Sequence, residues 1–101
     1  MGYETVLELL GDPTRRVLVE RLRSGPRPVG DLAEGLPVSR PAVSKHLRLM
    51  LDAGLVSVTR DGTRRLYGLD LRGLDELRRY VDGFWDGALA SFKEAAEKGR
   101  H

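Results

Sequence analysis

A mainly α-helical domain with one two-stranded β-hairpin, in the order α-α-α-α-β-β-α, is the fold class this sequence predicts. Apolar residues recur at three- and four-residue spacing through successive stretches, the mark of helices with one buried face. Late in the chain that rhythm gives way to VSVTRDGTRRLYGL, where apolar and polar residues alternate on both sides of Asp61-Gly62, as in a hairpin. Residues that start or stop helices stand at the joints: Asp12-Pro13, Ser39 with Pro41, and Ala53-Gly54.

Tyr3 to Leu10 is a short helix with Tyr3, Val6, Leu7 and Leu10 on one face, and Gly11 ends it. Asp12 caps the next helix, and Pro13 sits where its missing donor costs nothing. Val17, Leu18, Arg21 and Leu22 carry this helix on to Ser24-Gly25-Pro26. The third helix is predicted over Val29 to Gly35, with Asp31 in its first turn and Leu32 and Leu36 inward. Leu36-Pro37-Val38 is a turn, since proline disfavours helical backbone in the residue before it. Ser39 to Asp52 forms the fourth helix, its inner stripe Val43, Leu47 and Met50, flanked by Ala42 and Leu51. The strands are expected over Leu55 to Arg60 and Arg65 to Leu69. A long last helix runs from Leu71 to about Lys98, with Leu74, Leu77, Val81, Phe84 or Trp85, Ala88 and Phe92 in step along it. Gly83 and Gly87 weaken it, each by roughly 1 kcal/mol relative to alanine.

The 101 residues suit a single domain spanning 1–101. No apolar run approaches the ~20 residues a membrane span needs. Met1-Gly2-Tyr3-Glu4 lacks the features of a signal peptide, and no cysteine is present for disulfide, thiolate metal site or redox switch. A cytoplasmic protein is the expectation. The net charge is only +2, yet Ser39 to Arg72 holds seven cations against three anions, so the basic charge is concentrated in one segment.

That segment contains the two elements best suited to a nucleic-acid duplex. The fourth helix has an apolar side to anchor it and short polar or basic groups elsewhere. Ser39, Arg40, Pro41 and Ser44, at its N-terminal end, are placed to read base edges. Lys45 and Arg48 suit phosphates, adding affinity and salt dependence. His46 is ambiguous between a phosphate contact and packing against the hairpin. A catalytic or metal role is disfavoured, because the other histidine is His101. The hairpin brings Arg60, Thr63, Arg64 and Arg65 to its tip, with Tyr67 on the returning strand, and can follow the backbone or enter the minor groove. A groove-entering helix followed by a basic hairpin is the layout of a winged helix-turn-helix.

LGDPTRRVLVERL, VGDLAEGLPVSRPAVSKHLRLMLDAGLV and RDGTRRLYGL together closely resemble the ArsR-type (ArsR/SmtB-like) bacterial transcriptional regulators. SRPAVSKHL and AGLV carry the most specific part of the likeness, which is dense over residues 5–72 and looser in the last helix. The resemblance implies a homodimeric winged-helix repressor that is usually released by an inducer. Metal-sensing relatives carry paired cysteines at the start of the third helix, or Asp/His and His/Glu pairs along the last. Here the first position reads Val29-Gly30-Asp31-Leu32, and the last helix offers Asp75, Glu76, Asp82, Asp86, Glu94 and Glu97 without histidine before His101. Carboxylates alone suit zinc and softer metals poorly, so a metal-independent member with no cofactor is expected.

Pairing is expected through the terminal helices, about residues 3–10 and 71–98. Tyr3, Val6, Leu7 and Leu10 form one stripe; Leu77, Tyr80, Val81, Phe84, Trp85, Leu89 and Phe92 form the other. A two-fold dimer would set two reading helices about 34 Å apart, one turn of DNA, and favour an inverted-repeat operator. Double-stranded DNA and a second copy are thus the expected partners, with no membrane. An unidentified small-molecule inducer between the terminal helices is an open alternative use for Phe84 and Trp85. A winged-helix protein-interaction module is the competing reading; it has no need of the outward cations Arg40, Lys45 and Arg48. An enzyme is disfavoured: there is no cysteine nucleophile, no phosphate-cradling glycine loop and no Ser-His-Asp grouping.

Overall fold

Helix ends fall where caps and turns place them. In the computed structural model, which describes residues 2–99, the elements are α1 (Tyr3–Leu10), α2 (Pro13–Arg21), a 3-10 turn (Leu22–Ser24), α3 (Val29–Ala33), α4 (Arg40–Asp52), β1 (Val56–Asp61), β2 (Arg64–Leu69) and α5 (Leu71–Lys98). The Asp12 carboxylate accepts from the backbone N–H groups of Thr14 (2.8 Å) and Arg15 (3.1 Å), so α2 starts at Pro13. Ser39 Oγ accepts from Ala42 N–H at 3.2 Å and caps α4. At the other end of α4, Leu55 N–H donates to the Met50 carbonyl (2.9 Å) and Gly54 N–H to that of Leu51 (3.1 Å), with Gly54 at φ +77°. This is a Schellman motif, and its accompanying apolar pair is Leu55 on Met50, both fully buried.

Two local expectations are corrected. α3 stops at Ala33, not Gly35, because Glu34 turns to extended backbone (φ −58°, ψ 126°). Arg21 then reaches across from α2, its Nη1 donating to the carbonyls of Leu32 (3.0 Å) and Glu34 (2.6 Å) that this ending leaves free. The hairpin turn is Gly62-Thr63 and not Asp61-Gly62, since Asp61 pairs with Arg64. Gly62 takes φ +65° while no non-glycine among the described residues has positive φ, so glycine leads a two-residue turn of the II′ kind. The sheet itself is two-stranded, as expected, with one isolated bridge beside it. Arg27, held extended between Pro26 and Pro28, exchanges two backbone hydrogen bonds of 2.9 Å with Tyr67 on the outer edge of β2.

The core lies between α1–α4 and the base of the hairpin: Val6, Leu9, Leu18, Leu22, Leu32, Val43, Leu47, Met50, Leu55 and Val56. Val6 is therefore removed from the expected pairing surface, being 1 % exposed within a single chain. Leu9, which the sequence stripe left out, takes part in that core, while Leu10 and Leu77 are half-buried against it. α5 is joined to this body at its first turns. Asp70 accepts from Arg72 N–H (3.0 Å) as its cap, and Asp70 N–H donates to the Leu55 carbonyl (2.8 Å). Gly73 is buried so close to the Gly54-Leu55 backbone that a Cβ there would strike the Gly54 carbonyl. Tyr80 stacks on Tyr3 with ring centroids 4.0 Å apart, where α1 begins. Past that contact α5 projects, which gives a molecule of 68 × 26 × 22 Å.

Candidate nucleic-acid interface

Burying Val43, Leu47 and Met50 decides what α4 shows outward. At about 100° per residue these three span a narrow arc, and Arg40, Pro41, Ser44, Lys45 and Arg48 are all exposed. The sequence-derived helix is thus oriented with its basic and hydroxyl groups free. Arg40, Lys45 and Arg48 form no ion pair among the described residues. Ser39 is exposed; its hydroxyl oxygen spends one lone pair on the capping bond, which leaves its O–H donor and a second lone pair for a ligand. The Arg40 side chain lies over Gly30 of α3, where a Cβ would meet Nη2.

The hairpin follows α4 through the Schellman turn, so its direction is tied to the reading helix. Arg60, Thr63, Arg64 and Arg65 are exposed around its tip. Arg64 makes a loose, solvent-exposed pair with Asp61 at 3.5 Å; Arg60 and Arg65 make none among the described residues. Tyr67 does not belong with them. It is half-buried at the hairpin base, paired to Arg27 and packed on the core. His46 is engaged by α2. Its Nδ1 lies 3.2 Å from Nη1 of Arg15 at the start of α2. Arg15 was not among the residues expected at the site; His101 lies outside the described residues.

Residues 10–59 match the family described as Helix-turn-helix domain. The chain is 52 % identical over 87 residues to HTH-type transcriptional regulator Rv2034 of Mycobacterium tuberculosis, covering 86 % of this chain and 81 % of that one. It is 34 % identical over 79 residues to transcriptional repressor SdpR of Bacillus subtilis, covering 78 % and 88 %. An ArsR-like transcriptional regulator from Rhodococcus sp. RHA1 superposes with TM-score 0.73 at 31 % identity, covering 93 % of this chain and 92 % of that one. The chain belongs to the ArsR family of winged helix-turn-helix regulators. A further neighbour is the homodimeric winged helix-turn-helix DNA-binding domain of Mb0332 from Mycobacterium bovis, with TM-score 0.64 and 25 % identity over 82 % of this chain and 77 % of that one.

The second surface of this ArsR-family chain is apolar. Along α5, Tyr80, Val81, Phe84 (67 % exposed), Trp85 (60 %), Leu89 and Phe92 (79 %) meet solvent, and Leu7 does so on α1. Large aromatics left this bare on one helix face are what a protein partner covers. The carboxylates of α5 are engaged differently. Asp75 accepts from Arg78 (2.6 Å) and from Arg79 through both Nη2 (2.7 Å) and Nε (2.9 Å). The Arg79 hydrogen bond, with its charge, holds the Asp75 carboxyl below its ordinary value. Among the described residues no group of three or more His, Asp or Glu side chains converges on a point where a metal ion could sit, and no helix is long and apolar enough to cross a membrane.

Proposed function

We propose that the chain is a homodimeric DNA-binding transcriptional repressor. It lays α4 of each protomer in successive major grooves of an inverted repeat, and the hairpin on the backbone or minor groove beside it. The observation that carries this reading is the outer face of α4. Its cations are exposed and unpaired among the described residues, and they lie on the same element as a fully buried anchoring stripe. Arg40 can make a bidentate contact to guanine, and Pro41 can pack on a thymine methyl. Ser44 adds a short donor, while Lys45, Arg48 and the hairpin arginines neutralise phosphates. The exposed aromatic face of α5 supports pairing, and the two-fold symmetry of such a pair is what makes an inverted repeat the fitting operator.

With no thiolate in these residues, we read the chain as answering to something other than a thiophilic metal, or to nothing. A regulator that meets DNA would work in the cytoplasm. Titration of a fluorescent mixed-sequence duplex tests the reading. Binding should be saturable and should weaken steeply with salt. No binding at low salt, with a soluble folded protein, would leave the protein-interaction module as the better reading.

A further inference from the structure

Arg15 stands where three helices meet. Its backbone N–H donates to the Asp12 cap (3.1 Å), Nε donates to the Leu9 carbonyl at the end of α1 (2.6 Å), and Nη1 lies 3.2 Å from His46 Nδ1 on α4. A guanidinium is all donor and stays charged at any pH a protein survives. In this contact Nδ1 of His46 must therefore be the acceptor, which leaves the single proton of the neutral ring on Nε2. Nε2 has no partner among the described residues, and no buried side-chain nitrogen or oxygen is left without one, so it reaches solvent. The ring itself is half-buried on the flank of α4, next to the exposed Lys45.

A neutral donor fixed at the flank of a reading helix, beside a lysine, suits a phosphate oxygen at the groove edge better than a base edge at its floor. We propose that Arg15 is a positioning residue for DNA binding: it holds His46 in the Nε2–H tautomer, so that each protomer presents a pre-aimed neutral donor to a backbone phosphate. The proposal rests on the reading of α4 as the DNA-facing helix. It differs from a plain packing role in one respect. A neutral donor adds affinity without releasing a counterion, so His46 raises binding at every salt concentration while leaving the salt slope unchanged.

Two measurements on the full chain test it. With isotopically labelled histidine at neutral pH, imidazole nitrogen–proton correlation should show Nε2 protonated and Nδ1 bare in the free protein. Arg15→Met, which removes the donor, should give a mixture of tautomers. A protonated Nδ1, or an even mixture in the parent protein, overturns the proposal without touching the DNA reading. The second measurement is titration with a mixed-sequence duplex of roughly twenty base pairs, two helical turns. His46→Gln puts an amide nitrogen where Nε2 was and should bind within about twofold of the parent. His46→Asn mimics Nδ1 and should lose about tenfold at unchanged salt slope. Arg15→Met should lose about tenfold in the parent and almost nothing in His46→Gln. Equal losses in both backgrounds, or Asn and Gln behaving alike, overturn it. A parent protein that binds no duplex removes the DNA reading, and the proposal with it.

Discussion

The hairpin arginines make a quantitative test. Arg64 and Arg65 are exposed, and neither side chain contributes to the core. Arg65 is unpaired among the described residues, while Arg64 shares its charge loosely with Asp61 at 3.5 Å. Each phosphate neutralised on B-DNA contributes about 0.9 to the slope of log affinity against log salt. If Arg65 alone reaches phosphate, a symmetrical dimer engages two such contacts and Arg64→Ala with Arg65→Ala lowers the slope by about 1.8. If Arg64 exchanges Asp61 for phosphate, the loss rises to about 3.6. An exposed ion pair is weak enough to permit that exchange. At the upper figure, raising salt fourfold, from about 50 to about 200 mM, should weaken the parent roughly 150-fold more than the variant. Fluorescence anisotropy on a mixed-sequence duplex reads this, with thermal melting to show that stability stays within about 0.5 kcal/mol. An unchanged slope would take the hairpin out of the DNA interface and leave its arginines as guards of an open sheet edge.

Four other outcomes follow from particular contacts. Gly73→Ala should destabilise by about 1–3 kcal/mol in chemical denaturation, because the added Cβ meets the Gly54 backbone and outweighs the gain in helix propensity. Ser39→Ala should lose about 1 kcal/mol in the same assay, since it removes the α4 cap. Trp85→Ala should cost an interface core about 2 kcal/mol per protomer, so the dimer dissociation constant in sedimentation should rise roughly a thousandfold. A parent protein that sediments as a monomer at micromolar concentration would contradict pairing itself. Finally, the Arg15 and Thr14 N–H groups lower the Asp12 carboxyl, and the Arg72 side chain lowers that of Asp70. Folded values below the unfolded ones mean the unfolded chain binds more protons in that interval. The stability these caps contribute is then complete above the unfolded value near ~3.9 and lost as pH falls through the folded values. Melting temperature should drop on acidification, and less so in Asp12→Asn.

Elements with a chemical signature at each end could be read from the chain. Asp12-Pro13 and Ser39 announce caps, Ala53-Gly54 announces a helix end, and the buried stripe of α4 follows from its spacing. Contacts between elements were harder to see. The edge bridge at Arg27 is a single residue between prolines, too short for any alternation to show. The hairpin turn slipped by one residue because Asp61-Gly62 and Gly62-Thr63 both place a glycine where positive φ is needed. On α1 the stripe through Val6 reads the same whether it faces its own core or a second chain; here Val6 and Leu9 turn inward and Leu7 stays out. The Arg15–His46 contact joins residues thirty-one apart in sequence, and no pattern within either helix predicts it.

A selection of bound sites from a random pool of duplexes, read by sequencing, tests most directly whether two copies of α4 meet one duplex together. The enriched sites should be inverted repeats whose half-site centres lie about ten base pairs apart, one turn of DNA. Enrichment of a single unrepeated motif, or of nothing at all, would contradict the paired arrangement at its root.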